Sequence, residues 1–171
     1  MEVDLGCGDG SFLAALAARD PERNFLGLER LAGRVRSSSG GIERRALANA
    51  RVLRGDIAHA VESLPASSVD VFHLMFPDPW PKRRHHVRRV FTGPFLQSIA
   101  RALRTEGVLR IATDHREYFE QMLRVAAATP LFQAFTPLDD PPLPRSNFEE
   151  RYLAAGDEIF RLALRKISGR M

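Results

Sequence analysis

A chain of 171 residues, 44% of them hydrophobic, can bury one real core and leaves little room for a second, so a single domain over residues 1–171 is expected. No apolar stretch approaches the ~20 residues of a membrane span, and Met1-Glu2-Val3-Asp4 lacks the cationic and apolar regions of a signal peptide; a cytoplasmic protein without membrane association is expected. The one cysteine, Cys7, excludes an internal disulfide and a cysteine-rich zinc site, while the net charge of +4 is concentrated in Lys82-Arg83-Arg84-His85-His86-Val87-Arg88-Arg89. That run is a candidate nucleic-acid surface, although a charged run is also the ordinary composition of a solvated face.

In chain order, Val3-Asp4-Leu5 leads into Gly6-Cys7-Gly8-Asp9-Gly10 and then into Ser11–Arg19, where Phe12, Leu13 and Leu16 fall at helical spacing. This reads as strand, glycine turn and helix, the opening of a nucleotide-binding α/β unit. Asn24–Leu28 reads as a second strand with Glu29 at its carboxyl end. Residues 30–49 suggest a helix interrupted at Ser37-Ser38-Ser39-Gly40-Gly41. A third strand, Arg51–Arg54, ends at Gly55-Asp56, and a short helix over Ile57–Leu64 is closed by Pro65. Val69–Phe76 is apolar enough for a strand buried on both faces, with Asp78 just beyond it. A helix over Phe91–Leu103, a turn at Glu106-Gly107, a strand over Val108–Thr113 ending at Asp114 and a helix over Glu117–Ala127 follow. Phe132–Thr136 suits a strand, Pro137–Pro144 a proline-rich loop and Ile159–Lys166 a final strand. The alternation predicts an α/β fold: a Rossmann-like, doubly wound, mostly parallel sheet of about seven strands, helices on both faces, with an antiparallel last strand as an option.

Three features carry chemistry. In the glycine turn, Gly6 and Gly8 let the backbone approach a bound nucleoside; Ser11 stands where a dinucleotide fingerprint would place its last glycine. Glu29 is placed to accept hydrogen bonds from two ribose hydroxyls. Asp4, Glu29, Asp56, Asp78 and Asp114 each stand in or just after a predicted strand, so most should converge on one sheet edge. Such a rim suits a cationic cofactor better than a pyrophosphate, with Mg²⁺ as a competing ligand. The third feature is Phe76-Pro77-Asp78-Pro79-Trp80-Pro81-Lys82, whose three prolines present Asp78 and Trp80 rigidly, although Trp80 could equally be a packing plug.

The motifs Val3-Asp4-Leu5-Gly6-Cys7-Gly8-Asp9-Gly10, Phe25–Glu29, Phe76–Lys82, His85–Arg89, Ala112-Thr113-Asp114 and Ser146-Asn147-Phe148-Glu149 together resemble the tRNA (guanine-N7-)-methyltransferase family, of the class I S-adenosylmethionine-dependent enzymes. The resemblance implies transfer of a methyl group from S-adenosylmethionine to N7 of a guanine in tRNA, usually guanine 46 of the variable loop. It implies cofactor contacts from Asp4, Gly6, Gly8, Glu29, Asp56 and Asp78, and Asp78 as the active-site acid. Substrate contacts are implied for Lys82, Asp114, Ser146, Asn147, Phe148 and Glu149. No metal is expected, and the protein is expected as monomer or homodimer. Arg83, Arg84, His85, His86, Arg88 and Arg89 are candidate contacts to the RNA backbone. Asp4 stands where the family usually has Glu, and Ser146-Asn147 where it usually has Thr-Lys. The family also has a segment ahead of the first strand, which leads us to expect one upstream here. Two other readings remain open: a methyltransferase with a different substrate, and a noncatalytic RNA-binding module retaining the fold.

Overall fold

The computed structural model describes residues 1–137 and 142–167. Seven strands form one sheet in the order β3-β2-β1-β4-β5-β7-β6. They are β1 (Glu2–Leu5), β2 (Phe25–Glu29), β3 (Ala50–Arg54), β4 (Val69–Met75), β5 (Leu103–Thr113), β6 (Phe132–Phe135) and β7 (Phe160–Lys166). β1 to β5 run parallel, while β7 lies antiparallel between β5 and β6. The mostly parallel sheet read from the sequence is therefore present, and its last strand takes the antiparallel option. Order reverses between β1 and β4, the switch point at which doubly wound sheets open a crevice at their carboxyl ends.

The helices are α1 (Ser11–Arg19), α2 (Ala32–Arg44), α3 (Ile57–Ser63), α4 (Gly93–Ala102), α5 (Arg116–Ala127) and α6 (Asn147–Ala155). One core unites Phe72, Leu74, Leu109 and Ile111 of the central strands with Val61 of α3, Leu96 and Ile99 of α4, and Tyr118 and Met122 of α5. A smaller core on the other face joins Phe12, Leu13, Leu16 and Ala17 of α1 with Ile42 of α2, Phe25 and Ala50. Each fully buried large side chain contributes roughly 1.5–3 kcal/mol of transfer free energy, so the central strands hold the switch point stiffly. Glu2 ties the centre further: its carboxylate pairs with His73 of β4 and with Arg23, each at 2.8 Å.

Three elements differ from the sequence reading. The turn expected at Glu106-Gly107 lies inside β5, which begins at Leu103 and pairs with β4 through a register shift between Val69 and Val71. α2 runs unbroken through Ser37–Gly41, because Ser38 is buried and its hydroxyl lies 2.8 Å from both the Arg34 carbonyl one turn back and the Gly8 carbonyl, sharing its single proton between them. Tertiary contact outweighs the low helix propensity of the serine-glycine run. Asn147–Ala155, to which the sequence reading assigns no element, form α6; Ser146-Asn147-Phe148-Glu149 is a capping-box pattern, and the Ser146 hydroxyl accepts from Glu149 N at 3.1 Å. The proline-rich loop falls partly at 138–141, outside the described residues.

Candidate active site

The strand ends at the switch point open onto a cleft of about 650 Å³, a size ordinary for small-molecule sites. Gly6, Glu29 and Asp56 line one part of it, Asp78, Trp80 and Arg89 another. Of the glycine turn only Gly6 reaches its lining; Gly8, expected beside it, is not part of the lining and lies against Phe148. Leu28 of β2 accepts hydrogen bonds from the amides of Gly6 and Cys7 at 2.8 and 2.9 Å, which continues the sheet pairing into the loop. Gly10 then turns in the left-handed region at φ 76°, and a Cβ there would stand 2.8 Å from Cβ of Ser38. Only glycine meets both conditions. Cys7 is buried beneath the turn with its thiol pushed well above the usual range, first by burial and then by Asp4 and Glu29; it is a packing group rather than a nucleophile.

Glu29 is the last residue of β2 and is buried. Its two oxygens accept from different amides, Gly8 N at 3.1 Å and Leu31 N at 2.8 Å, so the carboxylate is held in one orientation. A carboxylate has about four acceptor sites, and these two bonds leave capacity for a pair of ribose hydroxyls. Asp56 caps α3, accepting from Ala58 N at 3.0 Å and His59 N at 3.5 Å, and lines the same cleft. A sulfonium cofactor fits this donor set: a fixed buried acid, a second acid beside it and a turn at Gly6 with open space where a side chain would stand.

Asp78 is exposed at the cleft, at the centre of the segment that leaves β4. Phe76 and Trp80 flank it with positive φ, 54° and 44°, a backbone state that persists only where surroundings over-determine it. The Arg88 guanidinium lies 4.8 Å from the Trp80 ring centroid, and the His85 ring meets the same indole edge-on at 5.9 Å. Trp80 is thus clasped by the 3-10 turn Arg83–Arg88. Lys82, Arg83, Arg84 and Arg88 are exposed and His85 and His86 half-buried, forming a cationic rim beside the cleft.

Arg89 departs from the expectation of a backbone contact. It is 3% exposed, with Nε donating to the Pro79 carbonyl at 2.7 Å and the guanidinium 4.8 Å from the Tyr118 ring centroid. Asp4 also sits apart. It is buried under the glycine turn rather than on the cleft lining, and burial, followed by Asp9 and Glu29, raises its carboxyl to about 7. In the unfolded chain the same carboxyl ionises near 3.8. Between those values the folded state keeps a proton that the unfolded state has released, so this group's contribution to stability falls as pH rises from about 4 to about 7. Asp4→Asn is therefore expected to gain on the wild type by roughly 2–4 kcal/mol between pH 4 and pH 8 in urea unfolding. A difference between the two that does not change with pH would refute this.

The segment 146–149 is divided. Asn147 donates from Nδ2 to Asp9 at 2.9 Å and Phe148 lies 3.5 Å from where a Cβ on Gly8 would be, so both cover the glycine turn. Ser146 is spent on the helix cap, and Glu149 is buried, paired with Arg161 and placed on a second cleft of about 760 Å³. Asp114, beyond the end of β5, lies outside the first cleft's lining, yet it acts on the same phenol as Asp78. The Tyr152 hydroxyl is raised first by burial and then by Asp114, Asp157 and Asp78. The Tyr152 ring packs on Phe76 at 5.3 Å between centroids. Nothing in the local sequence marks Tyr152, because α6 brings it to the start of the Asp78 segment only in the folded chain.

Among the described residues no helix is long and apolar enough to cross a membrane. A family model described as "Putative methyltransferase" matches residues 1–162. The chain is 41% identical over 172 residues to a tRNA (guanine-N(7)-)-methyltransferase of Leifsonia xyli subsp. xyli, covering 96% of this chain and 75% of that protein. It is 39% identical to the Halorhodospira halophila protein of the same name, covering 95% and 73%. Among solved structures, a SAM-dependent O-methyltransferase from Thermotoga maritima superposes with a TM-score of 0.67 at 15% identity, covering 99% of this chain and 60% of that one. That likeness concerns the fold alone, which is the class I methyltransferase fold. Identity and coverage with the sequence relatives go further: the chain belongs to the tRNA (guanine-N7-)-methyltransferase family.

Proposed function

We propose that this protein transfers the methyl group of S-adenosylmethionine to N7 of a guanine in tRNA, and that the guanine is number 46 in the variable loop. The observation that carries the reading is the union, in one cleft, of a fixed acid pair, Glu29 and Asp56, with Asp78 on its rigid segment and an exposed cationic turn alongside. Family membership supports the substrate; the position rests on the resemblance alone.

When bound, the cofactor supplies an electrophilic methyl on a cationic sulfur. Guanine N7 carries a free lone pair at neutral pH, so no residue has to remove a proton from it. What the chain must do is position. Glu29 holds the ribose hydroxyls, Asp78 the cofactor and the N–H edge of the base, and the alignment accounts for most of the rate. The negative charge of Asp78 also favours a base that becomes cationic on methylation. Lys82, Arg83, Arg84 and Arg88 neutralise phosphates while the base leaves its tertiary contacts.

The test is incubation with labelled S-adenosylmethionine and unmodified tRNA, followed by chemical mapping of the 7-methylguanine. Label at guanine 46 supports the full reading, and label at another guanine removes only the position. Cofactor binding without label in tRNA would favour the RNA-binding module or another substrate. Replacing Lys82 and Arg83 by Gln is expected to flatten the dependence of log affinity for tRNA on log salt by roughly 1.5–2, close to one for each phosphate left without its cation. An unchanged slope would place the RNA elsewhere.

A further inference from the structure

The segment 77–81 poses a mechanical problem. Its three prolines supply no N–H, and among the described residues the backbone hydrogen bonds reach it only at its margins, from Phe76 N to the Ala112 carbonyl at 2.8 Å and from His85 N to the Lys82 carbonyl at 2.7 Å. Between these margins lie two residues with positive φ on either side of Asp78. A strained turn poor in donors needs a hold from outside.

We propose that Arg89 is that hold, a positioning residue whose guanidinium pins the Pro79 carbonyl against α5 and thereby sets where Asp78 and Trp80 stand at the cleft. The inference rests on the proposed activity of this cleft. Nε donates to Pro79 O at 2.7 Å, while Nη1 donates to Gln121 and, at 3.4 Å, to Glu117, both on α5. The planar fork fixes these directions relative to each other, and its face rests on Tyr118, whose hydroxyl accepts from Phe91 N at 3.2 Å. α5 is seated in the main core through Tyr118 and Met122, so the anchor is rigid. The neighbouring Arg88 holds the Trp80 ring, 4.8 Å from its centroid. Consecutive arginines thus take different tasks, one on the indole and one on the backbone beneath it.

Stability alone does not account for a cation here. Arg89 is buried and its Nη2 has no hydrogen-bond partner among the described residues, so the cost of desolvating this cation is only partly offset by the bonds it makes. What an apolar side chain cannot do is bridge Pro79 O to α5.

The test uses Arg89→Met and, as a variant that leaves the cation in place, Gln121→Leu. Trp80 is the only tryptophan, so its emission and acrylamide quenching read the segment directly, without substrate. Arg89→Met is expected to increase Trp80 quenching, to weaken cofactor binding about three- to tenfold by calorimetry through the displaced Asp78, and to lower kcat for tRNA methylation by the larger factor of about 10²-fold with KM within about threefold. Gln121→Leu should move both readouts the same way by less. Unchanged Trp80 quenching in both variants overturns the clamp, whatever the activity. A lower salt slope with unchanged kcat overturns it in favour of a phosphate contact, and loss of cofactor affinity in step with thermal stability overturns it in favour of a general structural role. If the wild type does not methylate tRNA, the proposed activity fails, while the quenching comparison still decides the clamp.

Discussion

Asp78→Asn is expected to lower methyl transfer to tRNA by about 10²–10³-fold in single-turnover assays, the scale set by removing one preorganised electrostatic contact. The substitution keeps the shape of the side chain and the proline-fixed backbone, so the loss isolates charge and hydrogen-bond direction. Asp78 is exposed at the cleft and its segment is fixed at both ends, which makes it a group presented to ligands rather than one that holds the fold. Unfolding free energies should therefore stay within about 0.5 kcal/mol of the wild type, as for exposed sites generally. Loss is expected without a shifted pH optimum, because N7 needs no general base. A variant with unchanged turnover on unmodified tRNA would remove Asp78 from the reaction; a variant whose activity returns at high pH would restore the general base.

Glu29→Gln should act on the other half of the cleft, raising the dissociation constant for S-adenosylmethionine about 10²-fold or more, because both oxygens of Glu29 accept from backbone amides, Gly8 N and Leu31 N. An amide has one acceptor oxygen, so one N–H would face an NH₂ group, and hydrogen bonds to a charged acceptor contribute about 1.5–3 kcal/mol each. The glycine turn would shift, and the ribose hydroxyls would find a weaker acceptor. Calorimetric titration measures the affinity, and thermal unfolding should show a lower midpoint, since Glu29 is buried in the structure that shapes the turn. Equal affinity in the variant would mean that the cofactor's hydroxyls are held elsewhere.

Much of this arrangement is legible in the sequence because it is local. The glycine turn follows from residues 6–10 alone, since left-handed backbone there admits little else. Glu29, Asp56 and Asp78 can be placed at strand ends because parallel strands put all their carboxyl ends on one edge, and the cleft does gather these three. Asp4 belongs with them by sequence and lies apart in the fold, because one position back along β1 is enough to bury it under the turn.

The sequence by itself determined the succession of strands and helices apart from α6, and the rigidity of the Asp78 segment, because hydrophobic period, proline and glycine act over a few residues. Only the tertiary structure decided what bears on that segment from a distance. α2 stays helical through three serines and two glycines because Ser38 finds the Gly8 carbonyl. Tyr152 packs on Phe76, two residues before Asp78, because α6 brings it there from a distant part of the chain. Arg89, one cation in a run of five, is buried while its neighbours are exposed. A run of like charges carries no period that says which member turns inward; that is settled by where a carbonyl and an aromatic face already wait, here Pro79 and Tyr118.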